Sequence, residues 1–402
     1  MKNLLKITTL SLVTATVLSA GGYKIPEVST NGIALSAANV AHTTGADAAY
    51  YNPANMIFMD DENSIEADLI YIGLDAAKYT GKNAGIHNGV EIDAQSETFI
   101  IPSLNYVSPK LGNARIGLSI VVPGGLTKRW NDSPAVDKAE EFTLQVVEIN
   151  PTAAFEVTDS VAIAVGFRII HSSGVVKSSS TASRDMNGNS TDFGYNLALA
   201  YKPSKEFDFG ITYRSNVSLS QEGNAKLYIG DAKVYDGGST VSVPLPAAVN
   251  IAAAYTLPTN TTIELVYEKT YWSSYSTLDF GYTSAIPNIL VPSFNTPIAK
   301  DWKDTEAYRL GITQAYDSVT LMLGAVIDHT PVPDNRVSFE LPDSDSLSVS
   351  FGTRYDMTDK INIGLSALYS MRENRDVDNA DVQGEFSNSN VLIISAGLGY
   401  KF

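Results

Sequence analysis

Ser160-Val161-Ala162-Ile163-Ala164-Val165-Gly166-Phe167-Arg168-Ile169-Ile170 is the stretch on which the fold turns. Val161, Ile163, Val165, Phe167 and Ile169 point one way, and Ala162, Ala164, Gly166 and Arg168 the other. A strand with an apolar face and a face of small residues plus a charge separates lipid from a lumen. In hydrocarbon only a closed ladder of strands, or a helix, satisfies every backbone group. The pattern recurs. Asp208–Val217 turns Phe209, Ile211 and Tyr213 outward and Gly210, Thr212 and Arg214 inward, and Asn113–Val122 places Arg115 inside. Val319–Ile327, Leu347–Tyr355 and Ile361–Tyr369 follow the same rule.

Composition agrees. The 402 residues are 44% hydrophobic with 21 Tyr, yet no stretch after the first 20 residues is long and apolar enough for a spanning helix. A net charge of −16 excludes a nucleic-acid partner, since nothing neutralises phosphates without a basic patch. With no Cys there is no disulfide framework, so stability must come from a hydrogen-bonded architecture. Lys2 and Lys6 followed by the apolar run Ile7–Ala20 predict a signal peptide over 1–20 with cleavage after Ala20, the run being too short and too Thr- and Ser-rich for an anchor.

Applied along the chain, the alternation predicts an all-β protein, a transmembrane antiparallel barrel of about fourteen strands. They start near residues 65, 99, 113, 141, 160, 192, 206, 244, 260, 305, 318, 346, 360 and 391. Tight turns such as Thr158-Asp159, Pro203-Ser204 and Thr358-Asp359 alternate with long polar stretches near 80–97, 123–140, 172–191, 219–240, 271–303, 329–345 and 371–389. Short periplasmic turns and long extracellular loops are the asymmetry of outer-membrane barrels, and place both termini in the periplasm. The last strand alternates from Leu392 to Phe402, and a terminal aromatic suits the membrane girdle.

Residues 21–64 read differently, rich in Ala, Asn, Thr and Gly with a helical possibility at Ala34–Ala41 and too little apolar content for a core of their own. The lumen of a wide barrel, enclosed by residues 65–402, is the expected host. Pro53 fixes its own φ and pushes Asn52 out of the helical region, making Asn52-Pro53-Ala54 a rigid turn suited to a plug.

Asp47-Ala48-Ala49-Tyr50-Tyr51-Asn52-Pro53-Ala54-Asn55-Met56 resembles the hatch block of the FadL family of outer-membrane long-chain fatty acid and aromatic-hydrocarbon transporters. Pro123-Gly124-Gly125-Leu126-Thr127, Thr212-Tyr213-Arg214-Ser215, Leu245-Pro246-Ala247-Ala248-Val249-Asn250, Trp302-Lys303-Asp304 and Asp328-His329-Thr330-Pro331-Val332-Pro333 extend the likeness along the chain. The resemblance implies passive uptake of a hydrophobic small molecule, with Asn52, Pro53 and Ala54 in a hatch that shifts when ligand binds. It makes Lys303, beside Trp302, a ligand contact. A second basic contact of the fatty-acid transporters falls where this chain has Ser172 and Ser173, which favours a neutral hydrocarbon as the alternative cargo. It also implies a lateral exit through a kinked third strand, for which Gly117, Pro123 and Gly124 are candidates. No cofactor or metal is implied.

Other readings rest on the residues themselves. The apolar loop Ala285–Pro292 with Leu290, followed by Phe294, is a candidate for collecting ligand. Arg115, Arg168, Arg214, Arg309 and Arg354 all face inward, but so do Glu66, Asp68, Asp208, Glu264 and Glu268, and ion pairs anchoring a plug are the commoner use. The four His, at 42, 87, 171 and 329, suggest no triad and no metal site, so no enzyme is expected. A structural or adhesive barrel is the rival of another class. Expected partners are outer-membrane lipid and lipopolysaccharide, and the assembly machinery through Phe402; the expected state is a monomer.

Overall fold

The computed structural model describes residues 21–402, so the expected signal peptide lies outside the described residues. Fourteen antiparallel strands form a closed barrel. In chain order they are β1 (Ser64–Leu74), β2 (Glu97–Val107), β3 (Ala114–Arg129), β4 (Glu141–Thr158), β5 (Val161–Ser178) and β6 (Ala182–Tyr201). Then come β7 (Phe207–Arg214 continued by Val217–Ile229), β8 (Ala232–Leu245 continued by Ala248–Thr256), β9 (Thr261–Thr270) and β10 (Thr305–Ala315). The last four are β11 (Val319–Asp328), β12 (Ser346–Asp356), β13 (Ile361–Arg372) and β14 (Val391–Lys401). Closure is made by β14 on β1, from Ser64 opposite Lys401 to Leu74 opposite Val391.

The alternation in β5 is realised as read: Ile163, Val165 and Phe167 are exposed to the outside, and Ala162, Ala164 and Arg168 are buried inside. At the short-turn end Phe207 packs on Tyr255 and stacks on Phe209, which stacks on Tyr201. Tyr400 stacks on Phe402, completing part of an aromatic girdle. Among the described residues no helix is long and apolar enough to cross a membrane, so crossing is by strands.

Two expected loops are strand. Residues 172–191 form the paired ends of β5 and β6, with Ser178 opposite Arg184, and 219–240 the paired ends of β7 and β8. These hairpins rise beyond the apolar belt, where the outward face turns polar while Val176, Met186, Leu219 and Leu227 are buried inward, so the lipid-facing alternation that marks a strand in the sequence is lost there. The other long connections carry short elements, including a four-stranded sheet from Lys78–Gly81, Glu91–Asp93, Arg375–Asp378 and Gln383–Ser387.

Residues 21–63 pack within the barrel. The first helix, α1, is Thr30–Ala34 rather than Ala34–Ala41, because Ser29 caps it by accepting from the Gly32 amide at 2.9 Å. α2 (Ala48–Tyr51) ends at Asn52, whose extended backbone leads into a 3-10 turn starting at Pro53. The inward charges of the wall hold this segment by its backbone. Glu264 accepts from the amides of Val40, Ala41 and His42, Arg214 donates to the Tyr50 carbonyl and Arg309 to that of Ser36. Arg115 donates to the carbonyls of Met59 and Asp60, Arg354 bonds Asn31 and Glu66, and Asp68 accepts from Thr30. Asp208 meets His42, and Arg168 is tied to Glu148 and to the Ser215 carbonyl.

Candidate functional site

The wall is interrupted at β3. β2 pairs with β1 along its whole length but with β3 only through Leu104–Val107 opposite Gly117–Ile120. Higher up, β3 slips one step against β4 between Val121 and Gly124, a bulge that turns its upper half away from β2. The ladder resumes only where Ala94 bridges Trp130 and the Gln95 amide donates to the Arg129 carbonyl at 2.9 Å. Pro123 and Gly124 stand at the slip. Gly117 does not: it sits in regular ladder, and a Cβ there would lie 2.6 Å from Met56 Sδ and 3.0 Å from Ala49 Cβ. Its bareness admits the N-terminal segment against the wall.

The start of that segment lies along the slipped strand. Ile25 donates its amide to the Pro123 carbonyl and Gly125 to the Tyr23 carbonyl, each at 2.8 Å. Gly124 is needed for this approach, since a Cβ would come within 2.9 Å of the Tyr23 carbonyl oxygen. Tyr23 is buried among Trp272 and Trp302, with ring centroids 4.8 and 5.7 Å away, and its hydroxyl donates to the Pro244 carbonyl.

Above Tyr23 is a cavity lined mainly by apolar side chains. Leu126 of β3, Phe142 and Leu144 of β4, Val176 of β5 and Val243 of β8 form its walls; Tyr275, Phe280 and Trp302 of the long connection after β9 close it. Its apolar lining suits a hydrophobic ligand. The polar groups at one edge are Lys300 and Glu340, paired at 2.5 Å. Burial works against ionising Glu340, but the Lys300 ammonium beside it, helped by the Ser338 hydroxyl, prevails and lowers its carboxyl to about 2.

Lys300, Glu340 and Phe294 also border a wider groove at the loop end. Arg184, at the foot of β6, reaches into it with its guanidinium carbon 4.8 Å from the Phe280 ring centroid and 5.7 Å from that of Phe294. Its Nε and Nη1 are buried and make no hydrogen bond. A planar cation held between rings with donors unused is a receptor for a carboxylate edge.

The residues singled out in the sequence fall into groups. Trp302 lines the cavity and Phe294 the groove; Leu290 is buried in the loop, while its neighbour Ile289 is 74% exposed. Lys303 is exposed, its amide donating to the Pro331 carbonyl; Lys300, three residues earlier, borders the cavity instead. Asn52 Nδ2 donates to the carbonyls of Val40 at 2.8 Å and of Leu199 in β6 at 3.2 Å, and its Oδ1 accepts from Ala54. Pro53 and Ala54 are buried in the turn that follows. Sequence reasoning missed Arg184, which lies in a stretch read as loop. Among the described residues no group of acids and His is arranged to hold a metal.

A closed fourteen-strand barrel with an internal N-terminal segment and an apolar cavity against a slipped strand defines an outer-membrane channel for small molecules. The chain belongs to the family described as outer membrane protein transport protein (OMPP1/FadL/TodX), matched over residues 11–402. It is 22% identical to the long-chain fatty acid transport proteins of Salmonella typhi and Escherichia coli (strain K12), over 95% of this chain and 94% and 95% of theirs. Its fold is that of a Pseudomonas aeruginosa FadL homologue, with a TM-score of 0.83 at 18% identity over 95% of this chain and all of the other. The P. putida toluene transporter TodX superposes with a TM-score of 0.74 at 17% identity, covering 93% of this chain and 98% of its own. The family is one of outer-membrane transport proteins, not enzymes.

Proposed function

We propose that this barrel is a passive uptake channel for hydrophobic small molecules, foremost long-chain fatty acids, which bind in the cavity above Tyr23 and leave sideways between β2 and β3. The carrying observation is Arg184: an aromatic-flanked guanidinium with two unused donors, next to Lys300 at the edge of an apolar cavity. That combination fits an acyl chain ended by a carboxylate. The relatives named as fatty acid transport proteins support the same reading. Aromatic or aliphatic hydrocarbons are the alternative, favoured by the toluene transporter's shared fold and by the neutralisation of Lys300 by Glu340.

In this reading the segment around Asn52-Pro53-Ala54 seats a hatch, and Tyr23 couples cargo to exit. A ligand that displaces Tyr23 strips β3 of the backbone partners that now fill the gap beside β2. The ligand can shift that equilibrium only by binding the displaced arrangement more tightly. The barrel works as a monomer in contact with outer-membrane lipid and lipopolysaccharide, delivered by assembly machinery that reads the strand ending in Phe402.

The test is initial uptake of oleate, oleyl alcohol and toluene by a strain lacking the protein, complemented with wild type or Arg184→Met. Oleate uptake that depends on the wild-type gene and drops in Arg184→Met supports the fatty-acid reading. Toluene uptake alone moves the cargo to hydrocarbons. No change with any of the three means a structural or adhesive barrel.

A further inference from the structure

A second pair of cations lies on the other side of Leu341 from the Lys300 edge. Lys128, on the part of β3 that has left β2, is 3% exposed, and Arg372, at the end of β13, has a side chain 2% exposed. Both line a small pocket with Leu74, Pro342, Val391 and Leu341, the last of which also lines the cavity above Tyr23.

The acids nearby are already committed. Asp343 Oδ1 pairs with Arg372 Nη1 at 2.6 Å, while its Oδ2 accepts from the Gly22 amide and from Thr330 Oγ1. Glu97, within electrostatic reach of Lys128, is gripped by Arg129 through Nε and Nη2. Asp75, which also lines the pocket, is exposed and makes no ion pair with either cation. Arg372 Nε and Nη2 are buried without an acceptor, and the Lys128 ammonium makes no ion pair among the described residues. Asp343 offsets Arg372, which leaves Lys128 as the charge held out of water without a counter-ion, a costly arrangement unless an anion joins it.

We propose that Lys128 and Arg372 form a second carboxylate subsite, where the headgroup of the transported acid rests on its way from the cavity to the gap between β2 and β3. The free Nε and Nη2 edge of Arg372 is the fork that takes a carboxylate side-on, and Lys128 completes the charge balance. The pocket is far too small for an acyl chain, so only the headgroup can reach the two cations, with side chains around them giving way. The tail therefore stays in the cavity beyond Leu341. This inference rests on the fatty-acid reading above.

Lys128→Met keeps the side-chain length and removes the unpaired buried charge, so it leaves melting of the full-length barrel at or above wild type. Initial uptake is measured in the complemented strain for oleate and oleyl alcohol. The expected result is an oleate rate about tenfold lower with oleyl alcohol unchanged, as loss of a charge-assisted bond implies. Lys128→Arg restores the oleate rate. An unaltered oleate rate in Lys128→Met, or equal losses for acid and alcohol, overturns the subsite. If Arg184→Met lowers oleate uptake and Lys128→Met does not, the subsite is overturned and the fatty-acid reading stands. If wild type carries no oleate at all, both are overturned.

Discussion

The Gly125 amide donates to the Tyr23 carbonyl at 2.8 Å, so the residue that floors the apolar cavity also covers the slipped strand beside the open ladder. One movement of Tyr23 therefore changes both places. Gly124→Ala probes this link without touching the cavity. The new methyl meets the Tyr23 carbonyl oxygen at 2.9 Å, a backbone atom that can yield only by the segment moving off β3. Amide exchange at Ile25 and Gly125 is expected to rise, and the barrel to leak bulky hydrophobic antibiotics. Unchanged exchange at both amides would show that the segment does not depend on this seat.

How much of this could be read in the sequence depended on the surroundings of each residue. Within the bilayer, Val165 must meet lipid and Gly166 must not, so physics writes alternation into β5 and the barrel is legible. Above the bilayer the outward face meets water, as Asn187 and Asn189 of β6 do, and a strand without an apolar outer face looks like a loop. That is why Arg184 went unseen although its neighbours are strand. Lys300 and Lys303 differ only in which way the connection turns, and that is decided by Thr277–Leu278 pairing with Ile298–Ala299, contacts no local pattern announces. The inward arginines were legible as a set, and Arg115, Arg214, Arg309 and Arg354 do hold the N-terminal segment, whereas Arg168 stays within the wall on Glu148 and the Ser215 carbonyl.

Glu340→Gln tests whether Lys300 is held in reserve. The pair at 2.5 Å neutralises the ammonium at the cavity edge, and a fatty-acid carboxylate must compete with Glu340 for it. Removing the competing charge frees Lys300, so oleate is expected to bind several-fold more tightly to Glu340→Gln while oleyl alcohol binds as before. Titration of intrinsic Trp fluorescence reads this directly, because Trp302 lines the cavity. Weaker oleate binding in this variant would assign Glu340 a positioning role instead.

The same pair sets an acid limit for the loops. Glu340 titrates near 4.5 in an unfolded chain and about 2 here, so its contribution is complete above pH 4.5 and is lost as pH falls toward 2. Loop amides between 329 and 345 are expected to exchange faster as pH drops through that window, after correction for the intrinsic rate. Glu340→Gln, which has no proton to gain, should flatten that dependence. A slope equal to wild type in the variant would assign the acid sensitivity to other carboxylates.

Asn52 is the strongest test of how the N-terminal segment is seated. It is fully buried, and its Nδ2 joins the Val40 carbonyl of the segment to the Leu199 carbonyl of the wall. Asn52→Ala leaves the Leu199 carbonyl short of this donor, while Val40 keeps the one from Asn55. The cost is about 1–3 kcal/mol, the usual penalty for a buried polar group stripped of its partner. Asn52→Asp is expected to be worse, since it turns a carboxylate oxygen toward two carbonyl oxygens in a dry site. The order wild type, Ala, Asp should appear in melting temperature and, inverted, in proteolysis between residues 40 and 60. The barrel ladder itself does not use the Asn52 side chain, so cleavage should rise while strand content by circular dichroism holds. Equal protection of residues 40–60 in all three proteins would place the seat of the segment elsewhere, on Glu264 and Arg309.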